Sequence, residues 1–360
     1  MNRGFNFGAG PAMLPEPILK EVQTELLNWQ NTGMSIMEIG HRTPEFIELM
    51  AKAEQGLREL LHIPSNYHVL FLGGAARTQF AMIALNFLDQ SEQGAYLISG
   101  IWSALAFKEA CKLKNAYCVA SSESQGFVDW PEMTDWQIQD KTRYLYFTSN
   151  ETINGIRLKA PTFTGLPLIA DMTSSILSEP IDVQNYHLIF AGAQKNIANS
   201  GLTVVIVRDE FLNSIGDKIL PTMLDYRIHA MEHSIYATPP TFNCYIALKM
   251  FDWLKQQGGV KAIYEVNCKK ANMLYDYIDS SSFYSCKIAK QARSLVNVCF
   301  TLKKSDLEPI FLTKASRRGL LALKGHRAVG GLRASLYNSM PLVAVEQLIE
   351  FMCDFAKEYD

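Results

Sequence analysis

The chain has 360 residues, 48% of them hydrophobic, and 34 basic against 36 acidic side chains give a formal charge of −2. That length and apolar content allow a large core and more than one domain. The balanced charge excludes a broad field for holding nucleic acid or an anionic membrane surface, so any anion selectivity must be local.

The opening residues, Met1 to Gly8, lack a signal-peptide apolar segment, and no apolar run approaches bilayer-spanning length, so a cytoplasmic protein is expected. From about residue 65 to 210 strand-like and helix-like segments alternate, which predicts an α/β domain around a mostly parallel sheet. Residues 67–72 read as a buried strand, 73–76 as a tight turn and 77–88 as a helix. Residues 95–99 form the next expected strand, 100–103 a turn and 104–113 a helix, and further strands are expected at 144–148, 168–170, 187–191 and 202–207. A helix over about 241–257 should stop at Gly258 and Gly259, which sets the expected domain boundary. The predicted organisation is an N-terminal segment 1–15, a large domain 16–258 and a smaller C-terminal α+β domain 259–360. The last is expected to hold a long helix, strands near 295–301 and 331–337, and an amphipathic helix from Leu342.

Two predicted strand ends carry complementary chemistry. Asp171 ends the apolar run 166–170 and leads into the hydroxyls of Thr173, Ser174 and Ser175, and 24 residues later Lys195 follows a second apolar run. Alone, such a lysine is more often a solvated strand end. Paired with the aspartate it suggests pyridoxal phosphate, which needs an amine to hold its aldehyde and a carboxylate to keep its pyridine nitrogen protonated. The turn at 73–77 (GGAAR) lets backbone approach a phosphate; such turns also serve geometry alone, and this one is neither a Walker A loop nor a dinucleotide fingerprint. Trp102 is placed either to stack on a flat ring or to pack between domains. Arg42, Arg327 and Arg333, with His41 and His326 close in sequence, are surface charge or forks for carboxylate and phosphate. The cysteines at 111, 118, 244, 268, 286, 299 and 353 are odd in number and scattered. They read as reduced thiols that pack the core, Cys299 in a strand and Cys353 in a helix. No metal site is expected.

Spaced motifs run nearly end to end: FNFGAGPAMLP at 5–15, NETING at 150–155, Ala170-Asp171 with its hydroxyl run, AGAQKN at 191–196, TPPTF at 238–242 and LKGHRAVGGLRA at 323–334. In these the chain resembles the phosphoserine aminotransferases, a class V family of fold-type I pyridoxal phosphate enzymes. The resemblance implies a large domain with a mostly parallel sheet, a smaller C-terminal α+β domain, and a homodimer with shared active sites. It implies that Lys195 anchors the cofactor and carries a proton, that Asp171 meets the pyridine nitrogen, and that Trp102 stacks on the ring. Ala76, Arg77 and Gln194 would hold the phosphate and Thr152 would bond near the phenolic oxygen, while Ala237 and Thr238 would reach across from the other subunit. Arg333 would clamp the α-carboxylate. His41, Arg42, His326 and Arg327 would cluster on the distal phosphate or carboxylate, partly across the dimer interface.

The implied reaction moves an amino group between L-glutamate and 3-phosphohydroxypyruvate, and the family is also credited with forming 4-phosphohydroxythreonine for pyridoxine synthesis. Three departures from the family pattern stand out: Ala237 in place of an asparagine, Ala198-Asn199 in place of Gly-Pro, and Ala75-Ala76 in a usually more glycine-rich loop. They touch cofactor affinity rather than reaction type. A cysteine desulfurase would need a thiol on a mobile glycine-rich loop, and a serine or alanine transaminase would not need the His-Arg pairs. Another class V transaminase and a non-catalytic protein on the same fold are the remaining alternatives.

Overall fold

The computed structural model describes residues 3–131, 136–161 and 165–360. Its centre is a seven-stranded sheet of β1 (Tyr67–Gly73), β2 (Gln93–Ile98), β3 (Ala116–Ser121), β4 (Thr142–Thr148), β5 (Leu168–Asp171), β6 (Leu188–Gly192) and β7 (Leu202–Arg208), in the order β1-β7-β6-β5-β4-β2-β3. β7 is antiparallel to both neighbours and every other pairing is parallel, so the mostly parallel sheet expected from sequence is present. These strands read as near-continuous apolar runs because both faces are covered. Val69, Phe71, Leu145, Phe147 and Ile189 pack one face, against the helices Pro44–Leu61 and Thr241–Gln256. Leu70, Leu72, Tyr146 and Phe190 pack the other, against Thr78–Phe87 and Ile101–Leu113.

Sequence patterning missed β3, whose Ala-Tyr-Cys-Val-Ala-Ser run is only partly buried at the sheet edge. It also passed over the helix Pro44–Leu61, although Thr43 caps it by accepting from the Phe46 N–H at 3.4 Å and Pro44 opens it, both ordinary start signals. The expected turn at 100–103 is corrected: the helix begins at Ile101, so Trp102 lies in its first turn. The reason is tertiary, because the groups that cap this helix come from a strand about fifty residues away.

A second core gathers Leu274, Ile278, Phe300, Phe311, Leu348 and Phe355 under the antiparallel strands Tyr284–Ser285, Asn297–Leu302 and Leu332–Ser335. The helix Gly259–Ser280 gives Val260 and Ile263 to the core of the large sheet, and Ala271 and Leu274 to this one. The start of the chain joins it as well, with Phe5–Asn6 pairing parallel to Leu320–Leu321 and Phe7 completely buried. No helix among the described residues is long and apolar enough to cross a membrane.

Phe7 thus ties the N-terminal strap to the C-terminal core. Phe7→Ala is expected to cost about 3–5 kcal/mol and to lower the thermal unfolding midpoint. Phe5→Ala, at a half-buried position, should lower it less.

Candidate active site

In open α/β sheets, ligands gather outside the carboxyl ends of the parallel strands, and here those ends build one cavity. The turn after β1 brings Ala75, Ala76 and Arg77 to it, the helix after β2 brings Trp102, and the segment after β4 brings Asn150 and Thr152. β5 ends on Asp171, and the loop from β6 into antiparallel β7 carries Gln194 and Lys195.

The Lys195 side chain is buried, and its Nζ donates to Thr152 Oγ1 at 2.6 Å. Burial pushes its amine down to about 8, helped by Arg333 and opposed by the negative charges of Asp171 and Glu151. Asp171 accepts from the Thr173 N–H at 2.9 Å. Burial raises its carboxyl above the usual range, while the Thr173 hydrogen bonds and Lys195 pull it back. Each member of this pair therefore favours the other's charged form.

In the turn after β1, Gly74 has φ +114, a conformation open to glycine at little cost. Beyond it the N–H groups of Ala75, Ala76 and Arg77 meet no protein acceptor among the described residues, at the start of the helix Thr78–Phe87. The Arg77 guanidinium lies 4.9 Å from the centre of the Trp102 ring, and the buried indole Nε1 of Trp102 has no partner among the described residues. Free backbone donors at a helix start suit a phosphate. With the amine, the carboxylate and the indole, they fit the ring, the aldehyde and the anionic tail of pyridoxal phosphate.

Arg333, on the strand Leu332–Ser335, donates from Nη1 to the Thr152 carbonyl at 3.2 Å, beside the amine. His326 and Arg327 lie in the preceding loop, where His326 Nδ1 accepts from the Ala328 N–H at 3.2 Å. Burial, then Arg333 and Arg327, lower the His326 imidazole from its ordinary value. His41, Arg42, Ala237 and Thr238 stand apart from the Lys195 cavity within one chain. Thr238 Oγ1 meets His41 Nδ1 at 3.1 Å, and Ala237 and Thr238 line a separate pocket with Leu72, Gln79 and His229. The sequence also holds His229 and His233 four apart; the helix Tyr226–Met231 ends between them, and His233 has φ +47, so helical pair spacing is lost.

Sequence reasoning missed Glu151. It is fully buried, with its carboxyl pushed up to about 7 by burial against the pull of its hydrogen-bond donors. The available signal was a lone carboxylate inside the NETING motif. Thr148 and Phe80, also on the cavity wall, gave no signal beyond their place in apolar runs.

Fold and site together define a pyridoxal phosphate-dependent aminotransferase of the α/β class. The family model described as aminotransferase class-V matches residues 4–348. A phosphoserine aminotransferase of Legionella pneumophila is 60% identical over 358 residues, covering 99% of each chain. The solved phosphoserine aminotransferase of Bacillus circulans subsp. alkalophilus is 42% identical, with a TM-score of 0.96 and 99% of each chain covered. The pyridoxal phosphate-bound enzyme of Trichomonas vaginalis is 36% identical with a TM-score of 0.92, covering 98% of this chain and 100% of that one. The chain belongs to the class-V aminotransferase family and, within it, to the phosphoserine aminotransferases.

Lys195 generates a pH prediction. Its folded value of about 8 lies below the ordinary 10.5, so between the two the unfolded chain holds one proton more, and this group's contribution to stability grows as pH rises through that window. Capture of pyridoxal phosphate by the cofactor-free chain, followed by visible absorption, should accelerate with pH through about 8 and then level off. An inflection near 10.5 would mean that the amine is solvated.

Proposed function

We propose that the chain catalyses reversible transfer of the amino group from L-glutamate to 3-phosphohydroxypyruvate, giving O-phospho-L-serine and 2-oxoglutarate. The observation that carries this reading is the meeting of the Lys195 amine, the Asp171 carboxylate and the free N–H groups of Ala75–Arg77 in one cavity, with Arg333 beside the amine. When bound, pyridoxal phosphate supplies an aldehyde that takes up the amino group and a ring that draws electrons from the substrate Cα.

The residues divide that work. The backbone at Ala76 and Arg77, with Gln194, would hold the phosphate, and Trp102 would bear on the ring. Asp171 would keep the pyridine nitrogen protonated, a role suited by burial, since an enclosed carboxylate gains most from a cationic partner. Thr152, already the partner of the amine, would hold the phenolic oxygen. Lys195, with its amine lowered towards neutrality, is suited to carry the proton between the substrate Cα and C4′ of the cofactor. Arg333 would fork onto the α-carboxylate and so align the Cα–H bond. His326 and Arg327 would receive the distal group, carboxylate in one substrate and phosphate in the other, which is how one site serves both.

We read the active form as a homodimer. His41, Arg42, Ala237 and Thr238 belong to the resemblance's site yet stand apart from this chain's own cavity, as groups offered to a second copy would. Met37, Met223, Met231 and Tyr236 are exposed apolar side chains, Tyr236 adjoining Ala237 in sequence, and such exposure suits a subunit contact. We also propose the division at 258/259, a cytoplasmic location, and a parallel use of the site for 4-phosphohydroxythreonine.

The purified protein should show a visible absorption band that L-glutamate bleaches and 3-phosphohydroxypyruvate restores. Lys195→Ala should remove the band and lower turnover by at least about 10²–10⁴-fold, the usual share of a positioned acid and base. Restoration by non-phosphorylated keto acids alone would overturn the assignment of the distal site. In Arg333→Lys, kcat/KM should fall about ten- to a hundredfold for both substrates, as expected for a charged hydrogen bond worth about 1.5–3 kcal/mol.

A further inference from the structure

Among the described residues Glu151 has no partner cation. It is completely buried on the short strand Asn150–Glu151, and its side-chain hydrogen bonds run to one place. Its Oε2 accepts from the Trp102 N–H at 2.9 Å, and its Oε1 accepts from the Ser103 N–H at 2.8 Å and from Ser103 Oγ at 2.6 Å. These amides belong to the first turn of the helix Ile101–Leu113, whose N–H groups have no acceptor within the helix. A carboxylate there is also favoured by the helix dipole. Gly100, the residue before the helix, has no side chain to meet these two amides, and Ser103 Oγ caps a different donor, accepting from the Gly100 N–H at 3.1 Å. A Cβ at Gly100 would sit 2.4 Å from the Glu151 carboxyl carbon, so glycine is needed for the space the carboxylate occupies.

We infer that Glu151 is a positioning residue, which sets the height and tilt of Trp102 over the cofactor ring by clamping the helix start that carries it. The inference rests on the reading of Trp102 as the ring-stacking residue. Geometry gives the clamp a second reach, because Glu151 is flanked by two cavity residues, Asn150 and Thr152, and Thr152 holds the Lys195 amine. The Glu151 carbonyl accepts from the Gly155 N–H at 2.8 Å, so its own backbone is tied into a tight hairpin with Ile156–Arg157. The indole side and the amine side of the cavity are thereby referenced to one residue. A hydrophobic isostere would leave two buried N–H groups unpaired. Glutamine would aim an amide N–H at one of them, so only a carboxylate satisfies all three donors.

The test is a cycle of E151Q, W102A and the double variant. It is read by hydrogen exchange at the Trp102 and Ser103 amides of the cofactor-free chain, and by the affinity and visible circular dichroism of added pyridoxal phosphate. E151Q should lose at least tenfold exchange protection at those amides, weaken cofactor binding about ten- to a hundredfold and change the dichroism. In the W102A background the same substitution should change binding by less than about threefold, because coupled residues share one penalty. Penalties that simply multiply would overturn the inference, and so would unaltered protection in E151Q. If W102A alone leaves binding unchanged, the stacking assignment of Trp102 fails and this inference fails with it, whereas unaltered protection in E151Q overturns only the clamp. Should E151Q not fold, as judged by far-ultraviolet dichroism and gel filtration, E151D takes its place in the cycle with the same expected pattern. That variant keeps the charge and shortens the reach.

Discussion

Removing an ammonium from water costs several kcal/mol even after the protein relaxes, and Lys195 is only 8% exposed. The surroundings of this amine are organised by that cost. Among the described residues no carboxylate pairs with it directly; its hydrogen-bond partner is the neutral hydroxyl of Thr152, and Asp171 and Glu151 act on it through space. A direct ion pair would have held the proton firmly. The arrangement instead leaves the amine able to exist without it, which chemistry at an aldehyde requires.

That requirement explains why the site lies at the carboxyl ends of the strands. The ends of β2, β4, β5 and β6 are adjacent in the sheet; Asp171 sits on its strand end, and Trp102, Thr152 and Lys195 follow theirs within four residues. β7 runs the other way, so the lysine loop is closed by an antiparallel return in which Thr203 pairs with Gly192. Asn196 extends this support to the C-terminal core, its Oδ1 accepting from the Asn338 N–H at 3.1 Å. The N-terminal strap does the same from the other side, the Ala12 N–H donating to the Gln194 carbonyl at 2.8 Å. Rigid strands aim the reactive groups, and packing from both ends of the chain holds the loop that carries the amine.

Much of this was legible before the structure. Strands buried on both faces announce themselves as apolar runs, so β1, β2 and β4–β7 were found within a few residues. The partly polar edge strand β3 lacks that signature and was missed. Lys195 and Asp171 could be paired because each follows such a run, and Trp102 could be named although its helix start was misplaced by three residues. Glu151 could not be found this way. Its importance comes from contacts across 48 residues of sequence, and a carboxylate beside apolar neighbours reads the same whether it faces water or a helix end.

The division between sequence and tertiary structure follows from the range of the forces involved. Apolar runs alternating with helix-like segments are a local property of the chain, and they determined the sheet, its mostly parallel character and the strand ends on which chemistry could sit. Spaced motifs determined the family. Charge states, the depressed amine of Lys195 and the raised carboxyls of Asp171 and Glu151, were decided only by folding, because desolvation depends on what surrounds a group from every side. So too was the separation of His41 and Thr238 from the lysine cavity, since which residues meet across a surface is set by packing that no local pattern encodes.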